Sequence, residues 1–70
     1  MKQQPPIWLT PAGEKVACTE KLKVMQQNLE ELQQIAQDAF EDGILMGVDP
    51  QQLKQYLVEL MQSLNNPFRI

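Results

Sequence analysis

A chain of 70 residues with 6 Lys and Arg against 9 Asp and Glu, no histidine and 1 cysteine has room for one domain and only a marginal core. Cys18 has no disulfide partner within the chain, and a structural zinc site, which takes about four Cys or His ligands, is out of reach. Of the usual supports of a small domain, self-association is the one that remains.

Other classes fall away on similar grounds. No apolar run approaches the roughly 20 residues of a spanning helix, and the first residues are too short an apolar stretch for a signal peptide. A lone cysteine suits a reducing compartment, so a cytoplasmic, membrane-free protein is expected. The net charge of −3 is unevenly spread. Lys2, Lys15, Lys21 and Lys23 outnumber Glu14 and Glu20 at the start, whereas Glu30, Glu31, Asp38, Glu41, Asp42 and Asp49 follow without an intervening base. Such acidity repels phosphates, which are held by clustered Lys and Arg. Nucleic acid is therefore a disfavoured partner.

In chain order, residues 1–6 contain Gln3-Gln4-Pro5-Pro6, which cannot continue a helix and predicts a loose extended tail. One domain is expected over 7–70. Across 7–18, Ile7, Trp8 and Val16 flank Thr10-Pro11-Ala12-Gly13. Proline pre-sets φ for a type I turn and glycine accepts the left-handed position that closes a three-residue loop. A short β-hairpin follows, with Thr10 opposite Glu14 and Trp8 opposite Val16. The competing reading makes Thr10 the N-cap of a helical turn that begins at Pro11.

From 19 to 46 there is no proline and strong helix formers dominate, which predicts one long helix with Thr19 as N-cap. Leu22, Met25, Leu29, Leu32, Ala36, Ala39, Gly43 and Met46 recur at spacings of three and four, a heptad seam. Ile35 and Phe40 widen it. The seam passes from large to small residues, and Gly43 costs about 1 kcal/mol against alanine inside a helix, so a close crossing is expected there. Gly47-Val48-Asp49-Pro50 then ends one helix and starts another. Gly47 suits the left-handed C′ position, Asp49 the N-cap and Pro50 the first turn, Gln52 completes a capping-box pattern with Asp49, and Val48 and Leu53 stand at the staple positions. The second helix, 50–64, carries Leu53, Leu57, Leu60 and Leu64 on one stripe with Tyr56 and Met61 beside it. Asn65-Asn66-Pro67 stops it, and Phe68 and Ile70 form an apolar tail.

The fold expected is thus mainly α: a long and a shorter helix in an antiparallel hairpin, preceded by a β-hairpin. At 1.5 Å per residue the helices span roughly 42 and 22 Å, so the second shields only half of the first. Leu22, Met25 and Leu29 are left without a helix from their own chain. A homodimer with a four-helix core would cover them, using Leu22, Met25, Leu29, Leu32, Ala36, Ala39 and Gly43 as its interface.

No chemistry is signalled. Asp38, Glu41 and Asp42 lack the alternation and glycine of a calcium loop, Cys18 has no histidine to act as its base, and phosphate loops and catalytic motifs are missing. No cofactor or metal is expected. Trp8 and Phe40 are either core aromatics or partner-binding anchors. The function expected is that of a non-enzymatic adaptor, inhibitor or assembly factor, a homodimer that binds another protein. The alternative is a small nucleic-acid-associated regulator of helical-hairpin dimer form, relying on Lys15, Lys21 and Lys23 doubled by symmetry.

Overall fold

In the computed structural model, which describes residues 4–68, two helices pack together as a hairpin: α1 over Thr19–Leu45 and α2 over Pro50–Gln62. Met1–Gln3 of the expected tail, and Ile70, lie outside the described residues. Both helices stop short of the pattern that foretells them, α1 by one residue and α2 by two. Helix ends fray where nothing packs on the last turn, and Leu45 and Leu64 are 85% and 75% exposed.

The start of α1 differs from the sequence reading. Cys18, extended at φ −73° and ψ 104°, is the N-cap, and no side chain caps the helix there. Thr19 is already inside the first turn, so its hydroxyl does not occupy the capping position. The other end of α1 is closed tightly. Gly47 takes φ +92°, its N–H donates to the Ile44 carbonyl at 3.0 Å and the Val48 N–H donates to the Gly43 carbonyl at 3.0 Å. Those two bonds, five-to-two and six-to-one respectively, form a Schellman motif that satisfies carbonyls the helix leaves open.

Two residues on, α2 begins as its residues dictate. Asp49 is extended at its N-cap, Pro50 occupies the first turn, and Asp49 Oδ2 accepts from the Gln52 backbone N–H at 2.9 Å. Asp49→Ala is expected to remove about 1 kcal/mol of stability, read as a lower urea midpoint with an unchanged slope. At the far end, the Ser63 hydroxyl donates to the Leu60 carbonyl at 2.6 Å, and Asn66 Oδ1 accepts from the Phe68 N–H at 2.8 Å.

Ahead of α1 the chain reverses at Pro11–Gly13, with Gly13 at φ +87°. Thr10 N–H donates to the Glu14 carbonyl at 2.7 Å and Val16 N–H to the Trp8 carbonyl at 2.9 Å. These bonds frame one antiparallel bridge, Leu9 with Lys15. The expected two-stranded hairpin over 7–18 is not present: among the described residues no strand forms around that bridge. Pro5-Pro6 on one side and the start of α1 on the other leave too few residues for a ladder, and an isolated ribbon gains little from growing.

The helices cross at Gly43. It is the one buried residue of α1, and its missing side chain leaves the space that Leu53 of α2 fills. One turn earlier the Lys54 ammonium lies 5.8 Å from the centre of the Phe40 ring, a cation–π contact worth about 0.5–1 kcal/mol at an exposed site.

Beyond this crossing there is little interior. Among the described residues no hydrophobic side chain is buried. The Cα radius of gyration is 15.4 Å, where a compact chain of this length has about 11 Å. The principal extents of 45 × 26 × 16 Å are those of a rod with a half-length companion.

Candidate interaction surface

Helix lengths decide what is left open. With 27 residues α1 is about 40 Å long and with 13 residues α2 about 20 Å. From its start at the turn, α2 runs back along α1 until Met61 stands with Leu29, Leu32 and Ala36 around an open groove of ≈ 510 Å³. Gln4, Pro5, Pro6 and Trp8 line the other wall, with Gln26 and Gln33 beside them. The N-terminal segment therefore lies near the middle of α1, where α2 runs out.

The seam residues of α1 meet different surroundings. Gly43 is taken up by the contact with Leu53 inside the chain. Leu22, Met25 and Ala36 are half-buried, and Ala39 is exposed. Leu29 and Leu32 are each 39% exposed. The two aromatics stand apart: Trp8 is half-buried at the groove, and Phe40 is half-buried beneath Lys54.

A second apolar strip runs beside the seam, adding Val24 to Ile35, which flanks the seam, and Met46, which ends it. Val24, Ile35 and Met46 are 55%, 66% and 77% exposed. They recur every eleven residues, almost a whole number of turns, and so run nearly straight along the helix. At about 100° per residue this strip lies roughly a quarter-turn from the side that faces α2. Its N-terminal half holds a second shallow depression of ≈ 390 Å³, lined by Glu20, Lys21, Val24, Met25 and Asn28. The member that the sequence reading missed is Val24, and its eleven-residue spacing to Ile35 is the signal that could have found it.

Chemically the surface is plain. Among the described residues no three His, Cys, Asp or Glu side chains come together as a metal site. Cys18 is exposed and free. Among the described residues no helix is long and apolar enough to cross a membrane. The polar contacts that are present, such as Gln34 Nε2 to Asp38 Oδ1 at 2.9 Å and Gln26 Nε2 to Glu30 Oε1 at 3.3 Å, join neighbours one turn apart on α1 and stiffen its surface slightly.

No protein-family model matches this chain, and comparison with curated proteins and with solved structures gives no match either.

Proposed function

We propose that this chain is a non-enzymatic interaction protein: a small helical hairpin that forms a homodimer and binds another protein as an adaptor, inhibitor or assembly factor. The observation that carries the reading is the surface left open. The chain exposes 6728 Å², whereas folded monomers of 8.1 kDa expose about 4,500 Å², an excess of about 2,200 Å². A standard protein–protein interface takes about 800 Å² from each partner, so a dimer accounts for less than half of the excess and leaves surface for a further protein.

The four-helix core belongs to the same proposal. Two half-covered α1 helices, each with its α2, supply four apolar stripes of the kind that pack at shallow angles.

Light scattering tests the first half of the reading, with a mass near twice 8.1 kDa expected. Affinity capture from native extract tests the second half, with recovery of a stoichiometric protein partner expected. A monomer of 8.1 kDa that stays folded on dilution and repeatedly captures nothing overturns the proposal.

A further inference from the structure

We infer that a second copy of this chain docks antiparallel along the Val24–Ile35 strip of α1, so that Lys21 of each copy meets Asp42 of the other. The inference rests on the homodimer reading above and gives that dimer a face and a direction.

Three observations point the same way. The strip is the long apolar surface of α1 that the chain's own α2 leaves untouched, with Val24 and Ile35 more than half exposed. Its one cation, Lys21, lies at the N-terminal end beside Glu20, Val24 and Asn28, and Asp42 lies at the other end, after Ile35 and Ala39. Among the described residues neither the Lys21 ammonium nor the Asp42 carboxylate has an ion-pair partner.

Direction follows from charge. Aligned in parallel and in register, two copies set Lys21 against Lys21 and Asp42 against Asp42. Reversed about a two-fold axis between Glu31 and Leu32, they set each Lys21 against the partner's Asp42, Val24 against Ala39 and Asn28 against Ile35. Val24 then meets the small Ala39, opposite charges meet twice, and the contact is self-complementary, as a two-fold dimer requires. Leu32 nears its mate across the axis. Glu31 also nears its mate, but on the flank turned away from α2, where water and salt screen the repulsion.

Helix azimuths agree with this arrangement. The side of α1 that meets α2, marked by Gly43, lies about a quarter-turn from the strip. A two-fold axis across the strip therefore brings both α2 helices to the same side of the α1 pair. Because each α2 runs only along the C-terminal half of its own α1, the reversal sets it at the level of the partner's uncovered N-terminal half.

Zero-length carbodiimide coupling of the wild-type protein tests the arrangement directly, because it joins an amine to a carboxylate only where the two already touch. Within one copy, Lys21 and Asp42 are separated by about 31 Å of helix, so a Lys21–Asp42 link found by mass spectrometry is necessarily between copies. Charge reversal gives an independent reading. Lys21→Glu and Asp42→Lys each raise the dimer dissociation constant about tenfold at low salt, and the double variant returns it to near the wild-type value. In about 1 M salt, where the Debye length is about 3 Å, the single variants approach wild type. A dimer without the link, in which both reversals leave the dissociation constant unchanged, overturns this arrangement and leaves the homodimer standing. A chain that is monomeric at every concentration overturns both.

Discussion

Gly43→Val is expected to destabilise the helical hairpin by about 1–3 kcal/mol, the range for overpacking a filled site. The glycine sits where α2 comes closest, and a Cβ built there runs into the Leu53 side chain. Valine adds two further methyl groups to that collision. It regains only a few tenths of a kcal/mol of helix propensity over glycine, so the packing term wins. Gly43→Ala is a different case. The atom it meets is the far end of a leucine, which can rotate, and alanine recovers about 1 kcal/mol of propensity. That variant is expected within about 1 kcal/mol of wild type. Urea titrations followed by circular dichroism measure both. Combining each with Leu53→Ala isolates the contact, because the valine penalty shrinks once Leu53 is shortened. A valine penalty that persists unchanged beside Leu53→Ala shows that the cost arises in α1 itself.

The second large effect concerns dilution. A chain that folds alone melts at one temperature whatever its concentration, whereas a dimer loses about 1.4 kcal/mol of apparent stability with each tenfold dilution. With two chains of this length in the cooperative unit, two decades of dilution are expected to lower the Tm by about 5–10 °C. Melting curves at 222 nm across that range decide the matter. The expectation has a structural cause: no hydrophobic side chain among the described residues is buried within one copy, so a single chain has little apolar transfer energy to set against the entropy of ordering. Coincident curves across the range mean that the helices are held without a second copy.

What was legible in the sequence is instructive by position. The turn between the helices is written in local chemistry: Gly47 for a left-handed cap, Asp49 for a side-chain cap, Pro50 for a first turn. Each acts within a few residues, and the structure places each in that role. The long helix is legible because its period is regular and unbroken. The N-terminal reversal is legible at Pro11–Gly13, yet strands do not follow, because strand formation depends on partners that a segment this short does not bring. Thr19 misleads as a cap because sequence shows a suitable side chain but not the backbone angle, and the chain turns helical one residue sooner than that reading needs. Val24 was hardest to see: it stands outside the seam that Met46 ends and Ile35 flanks, and only the placement of α2 shows the three to be uncovered.

The connection at residues 46–49 has a further consequence, in time rather than energy. Because it joins the two helices through so few residues, the loop that must close before they touch is short, and such closure takes tens of nanoseconds while helices themselves form within about a microsecond. Chains whose contacts are mostly local fold in microseconds to milliseconds. The hairpin thus belongs to the quickest folding topologies, and any step that waits for a second molecule is slower than all that precedes it.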